Sequence, residues 1–178
     1  MPATRIEKIS IILDKDSCQF SLPLPACSES RFEFDIKLAN RAIKNGARIL
    51  MNTKVVNIEE DNILLDSGER LSYTDLIMST GRLFGSTTPM YYGLKGHFED
   101  IDLQKELEMY PFKGGYGGIS SIGKGQVNVA CLIAKTHNIF NDPLKSLFSL
   151  APALQKRLEK GSLILTDWII GQIPKFGI

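Results

Sequence analysis

The sequence predicts an α+β fold, a mostly antiparallel sheet with a few helices. Three observations lead there. Short apolar or alternating runs recur between turn residues, most densely from Tyr91 to Ala134. Helical spacing or helix start signals occur in only three places, after Ser30, after Asp142 and at Pro152. The composition is that of an ordinary globular chain: 178 residues, 43% hydrophobic and 23% charged.

Lys8 to Asp14 reads as a strand and Cys18 to Leu22 as its partner across a Lys15-Asp16 turn. Pro23, Pro25 and Ser28 then mark a loop. Ser30 and Glu33 have capping-box spacing, so a helix is expected over residues 31 to 45. Phe32, Ile36, Ala39 and Ile43 fall on one face of it, and Gly46 can take the left-handed stop position. Arg48 to Glu59, with Val55-Val56, reads as a long strand. Asn62 to Asp66 turns at Ser67-Gly68 into Arg70 to Tyr73. Asp75 to Ser79 reads as a short apolar strand ending at Thr80-Gly81, where glycine lets the backbone turn tightly or approach a ligand.

Four strands are expected next: Tyr91 to Glu99, Leu107 to Phe112, Tyr116 to Ile122 and Val127 to Ala134. Lys113-Gly114-Gly115 and Gly123-Lys124-Gly125 are the hairpin links. Asp142-Pro143 starts a helix with an aspartate cap and proline in the first turn, with Leu144, Leu147 and Phe148 on its apolar face. Pro152 starts another, carrying Leu154 and Leu158 and stopping at Gly161. A last strand is expected from Leu163 to Ile170.

Several functions are excluded early. The formal net charge is +1 and no long basic run occurs, so no nucleic-acid partner is expected. The longest apolar run, Val129 to Ala134, is far shorter than the ~20 residues of a membrane span. Three cysteines without a CxxC pair give neither a disulfide framework nor a metal site. With no apolar leader at Met1 to Lys8, the expectation is reduced thiols and a cytoplasmic location.

The stretch Gly118-Ile-Ser-Ser-Ile-Gly-Lys124-Gly125 is one residue from a phosphate-binding loop. That loop needs a helix after it, and a final hydroxyl for magnesium. Here Gly125 replaces the hydroxyl. Val127, Val129 and Cys131 then alternate, which predicts a strand and makes Gly123-Lys124-Gly125 a hairpin tip. No GxSxG and no GxGxxG occurs in the chain.

Three pieces, in order, resemble one family. They are Ser30-Arg-Phe-Glu-Phe-Asp-Ile-Lys-Leu38 with Gly46-Ala47, then Asp75-Leu-Ile-Met-Ser-Thr-Gly-Arg82, then Tyr110-Pro-Phe-Lys-Gly-Gly-Tyr-Gly-Gly up to Ala130. Together they are similar to FAD-dependent oxidoreductases of the p-hydroxybenzoate hydroxylase and geranylgeranyl-reductase-like group. That resemblance implies an FAD/NAD(P)-binding plus substrate-domain architecture. It also implies an internal fragment, because the family's GxGxxG unit and Gly-Asp motif are missing.

The implied layout has four parts. Residues 1–30 are a substrate-lobe hairpin, and 31–82 a partial FAD-binding domain. Residues 83–170 are the substrate-binding domain, and 171–178 return toward the missing motif. The implied cofactor-binding residues are Arg31, Val55, Val56, Thr80, Gly81 and Arg82. Many relatives carry Asp where Thr80 stands. Tyr110, Phe112 and Tyr116 would line the pocket of an apolar or aromatic small molecule. Val55-Val56 also reads as a plain strand pair, Arg31 as a solvent-facing helix end, and the aromatics as core.

No catalytic residue is assigned, because in such enzymes the flavin carries the redox chemistry. The implied reaction is hydroxylation by a flavin monooxygenase, with FAD bound and NAD(P)H as electron donor. The alternatives are reduction of prenyl double bonds, or a module that binds an apolar ligand without catalysis.

Overall fold

A computed structural model describes residues 4–80, 89–137, 141–164 and 167–174. These residues form a mixed α/β structure, mostly strands with three α-helices, in two compact units. One unit comprises residues 4–31 and the described residues from 89 onward. The other comprises residues 32–80.

The larger unit is built on an eight-stranded sheet. Its strands are β1 (Thr4–Leu13), β2 (Asp16–Ser28), β6 (Pro89–Glu99), β7 (Glu106–Phe112), β8 (Gly115–Gly123), β9 (Gln126–Ala134), β10 (Ser162–Leu163) and β11 (Ile169–Pro174). The order is β10-β6-β9-β8-β7-β1-β2, with β11 also pairing β6. Every pairing in it is antiparallel except β1 with β7.

Pro23 and Pro25, expected in a loop, lie inside β2. The register steps from Lys8↔Ser21 to Ile6↔Ala26, so the prolines sit in an irregularity of an edge strand. There a missing N–H costs no ladder bond. The strand expected from Leu163 to Ile170 is instead two, β10 and β11. Gly171 to Pro174, at the start of the segment expected to return toward the missing motif, pair with β6 as the end of β11. Residues 175–178 lie outside the described ones.

One face of this sheet carries the core. Val127, Val129, Cys131 and Ile133 of β9 are buried at every second position, which is the two-residue period of a strand. Leu94, Phe98, Tyr110 and Ile119 join them from neighbouring strands. Two helices cover that face, α2 (Pro143–Leu150) and α3 (Pro152–Leu158), through the fully buried Leu147 and Leu154. Asp142 caps α2 as the sequence indicates, its side chain accepting from the Leu144 and Lys145 N–H groups. A Cβ on Gly117 would lie 2.7 Å from Leu154 Cδ2, so glycine there lets α3 sit close to the sheet.

Gly123 to Gln126, at the end of the stretch that resembles a phosphate loop, is a hairpin tip. Lys124 (φ 59°) and Gly125 (φ 73°) both have positive φ, the two-residue geometry that matches strand twist. β9 follows it and pairs with β8, so no helix meets this loop.

The smaller unit holds α1 (Arg31–Lys44) and a three-stranded sheet of β3 (Val55–Ile58), β4 (Asn62–Leu65) and β5 (Arg70–Ser72). Gly46 stops the helix at φ 92°, and Gly68 turns β4 into β5 at φ 86°. Three expectations are corrected here. The long strand from Arg48 shortens to four residues, because its partner β4 has only four. Asp75 to Ser79 forms no strand, since no described strand takes its backbone hydrogen bonds. The apolar face of α1 buries nothing: Phe32 is 71% exposed and Ile43 51%.

Candidate functional site

Val55 and Val56 lie on β3, an edge strand of its sheet. The ladder to β4 shifts between Val55 and Asn57, which leaves Val56 without a Cα partner there. Facing β3 runs the extended segment Leu76 to Thr80. Together they line a groove of about 550 Å³. Its walls are apolar, with Ile58, Ile63, Leu76 and Met78 among the lining side chains. An unpaired strand edge offers backbone N–H and C=O groups in a row. A flat heteroaromatic ring between apolar walls, its edge bonded to that row, is the chemistry such a groove suits.

Three of the six expected cofactor residues, Val55, Val56 and Thr80, therefore meet in one groove. Gly81 and Arg82 lie outside the described residues. Arg31 opens α1, is exposed, and does not line the groove. Among the described residues the groove holds no helix N-terminus for a pyrophosphate, and the lysine-glycine turn that mimics one is a β-hairpin.

The three expected substrate aromatics part company. Tyr110 pairs with Gly117 and Phe112 with Gly115, on the helix-covered face. Tyr116 pairs with Pro111, so it points the other way and is 46% exposed. Tyr110 and Phe112 line a second cavity of about 270 Å³, with Ile12, Leu13, Leu150 and Leu154.

Tyr110 is 3% exposed and donates its hydroxyl to Glu108 Oε2 at 2.6 Å. Burial foremost, with the hydrogen bond and charge of Glu108, pushes the phenol well above its ordinary range. Glu108 in turn accepts from Arg157 of α3, whose Nη2 also donates to the Asp102 carbonyl at 2.7 Å. This buried pair escaped the sequence reading. Its signal was present: Glu108 shares strand parity with Tyr110 and Phe112, and a carboxylate at an inward position needs a cation.

The fold is shared with part of the flavin-dependent halogenases. Halogenase PltM matches with a TM-score of 0.79 and 12% identity, over 97% of this chain and 44% of that one. A triple mutant of the flavin-dependent brominase Bmp2 matches at 0.74 and 12% identity, over 96% of this chain and 51% of that one. PltM is also known in complex with phloroglucinol and FAD, and that form matches at 0.76.

Among individual relatives in sequence, a menaquinone reductase of Mycolicibacterium smegmatis is 26% identical over 134 residues. The match takes in 61% of this chain and 33% of the relative. The chain thus spans about a third of that relative's length and about half or less of these structures. No protein-family model matches it. Among the described residues no helix is long and apolar enough to cross a membrane.

Proposed function

We propose that the chain is the substrate-binding part, with a portion of the cofactor-binding part, of an FAD-dependent oxidoreductase acting on an apolar small molecule. The observation that carries this is the meeting of Val55, Val56 and Thr80 in one apolar groove with an open strand edge. The flavin, when bound, supplies the redox chemistry. The chain's own residues supply position and a dry environment. The remainder of the flavin site, above all the pyrophosphate cradle, lies in further polypeptide, which also covers the exposed face of α1. NAD(P)H is the electron donor in this reading.

Of the two reactions, reduction is favoured. The relative in sequence is a reductase of menaquinone, a ring-oxygenated compound with a long apolar tail. Hydroxylation of an aromatic is the second reading, supported by the exposed Tyr116 as a stacking surface beside a ring.

The test uses the protein from the complete reading frame, loaded with FAD and given NAD(P)H and a polyprenyl quinone. A reductase oxidises NAD(P)H without air and saturates a double bond of the substrate. A monooxygenase needs oxygen and adds a hydroxyl. Product formation in neither atmosphere, across quinones and phenols, sinks both readings.

A further inference from the structure

The face of the large sheet opposite the helices carries a polar row that no role above uses. His97 of β6 pairs with Asn128 of β9, which pairs with Ser120 of β8. Residues paired across strands share a face, with Cβ atoms about 5 Å apart. Phe98 and Val127, their chain neighbours, point into the helix-covered core, so His97, Asn128 and Ser120 point away from it. Lys95 stands two residues before His97 on the same side and is exposed.

Next to this row the floor is low. Lys95 pairs with Ala130, and Ala130 pairs with Gly118. Beyond them stand Leu132 and Tyr116, which also pair with each other. The open face therefore runs from four polar side chains, over an alanine and a glycine, to an aromatic wall.

The polar end is only partly satisfied from within, by the approach of the Asn128 side chain to the His97 imidazole. Asn128 Oδ1 is buried and meets no hydrogen-bond donor in good geometry. Burial foremost, then the charge of Lys95, pushes the His97 imidazole below its ordinary range, while the Asn128 side chain works the other way. Buried polar atoms are nearly always well paired, so one met only loosely by the neighbouring imidazole has room for a further donor.

We propose that Lys95, His97, Asn128 and Ser120 form the site that holds the ring oxygen of an otherwise apolar substrate, whose ring lies over Ala130 and Gly118 toward Tyr116. This rests on the flavoenzyme reading for the identity of the ligand as substrate, and deepens it by naming the atoms that read its head. Lys95 Nζ, the Asn128 amide and the Ser120 hydroxyl can donate to a carbonyl oxygen. Asn128 Oδ1 or the imidazole can accept from a hydroxyl. The small floor residues leave room for a flat ring, and Tyr116 gives it a face to stack on.

The complete protein is used, and comparison with H97Q assigns the His97 ring signals in its imidazole NMR spectrum. The probe is 2,3-dimethyl-1,4-naphthoquinone, whose blocked ring carbons cannot alkylate the exposed Cys18 and Cys27. The expected result is a saturable shift of the His97 ring signals, identified by their loss in H97Q. The variants K95M and N128L should each weaken binding about tenfold or more and keep the wild-type circular dichroism spectrum. In the complete protein they should raise KM for the quinone and leave flavin content unchanged. Silence of His97, or unaltered affinity in both variants, would overturn the site. The outcomes separate from the flavoenzyme reading: a colourless protein whose His97 still reports the quinone keeps the site and loses the enzyme. A yellow protein whose His97 stays silent does the reverse.

Discussion

Arg157 of α3 grips Glu108 of β7 with two nitrogens, Nε at 3.0 Å from Oε2 and Nη2 at 2.8 Å from Oε1. Their side chains are only 20% and 11% exposed. The pair ties a seven-residue helix to the sheet, and Tyr110 closes it from the core side. Bidentate geometry of this kind is specific to the guanidinium fork.

Removing one partner leaves the other charge half-stranded. R157M is expected to destabilise the chain by about 3 kcal/mol, the scale for breaking a buried pair. The double variant E108L/R157M should lose less than R157M, because no charge remains uncompensated. Urea unfolding of the three proteins checks the order. A double variant no more stable than R157M would contradict it.

Cys131 is buried, and burial pushes its thiol up to about 12. A group whose folded-state pKa is raised stabilises the fold fully below its unfolded pKa and loses that contribution as pH rises. Stability is therefore expected to fall from about pH 9, the ordinary thiol value the shift starts from, towards 12. The raised Tyr110 phenol adds to the same trend from about pH 10 upward. C131A should flatten the first part of the fall. With a thiol reagent at pH 8, Cys18 and Cys27 should react at once, and Cys131 only after unfolding. A fast third thiol would contradict its placement.

Two glycines in hairpins should answer differently to alanine. A Cβ on Gly115 would lie 2.1 Å from the Leu132 carbonyl oxygen, which is backbone and cannot swing away. G115A is expected to cost about 3 kcal/mol as overpacking. A Cβ on Gly125 meets nothing within 4 Å, and only its φ of +73° opposes it. G125A is expected to cost about 1 kcal/mol. Thermal unfolding distinguishes them, and equal losses would place the hairpins wrongly.

The large sheet was legible because β6 to β9 carry both period and turns. Hairpins such as Lys113-Gly114 need only local chemistry, and Asp142-Pro143 announces α2 on its own. The smaller unit was legible in its helix and in the Ser67-Gly68 hairpin, and less so where pairing decides. Asp75 to Ser79 has strand composition, but a strand is made by its neighbours. Pro23 and Pro25 suggested a loop because composition does not reveal that a strand lies at an edge. That Val55, Val56 and Thr80 line one groove was not legible from periodicity; they were singled out through the likeness to a family. The Lys95–His97–Asn128–Ser120 row depends on register across three strands, which one sequence does not state.

The central claim is tested most directly by the flavin content of the protein purified from the complete reading frame. The account expects a yellow protein that releases FAD on denaturation. V56D, at a half-exposed groove position, should lower that FAD occupancy without unfolding the protein. The 178-residue chain alone should bind FAD weakly, with Kd above roughly 100 μM, because among the described residues no helix N-terminus lines the groove for the pyrophosphate. A complete protein that is colourless, and that takes up no added FAD, would contradict the account.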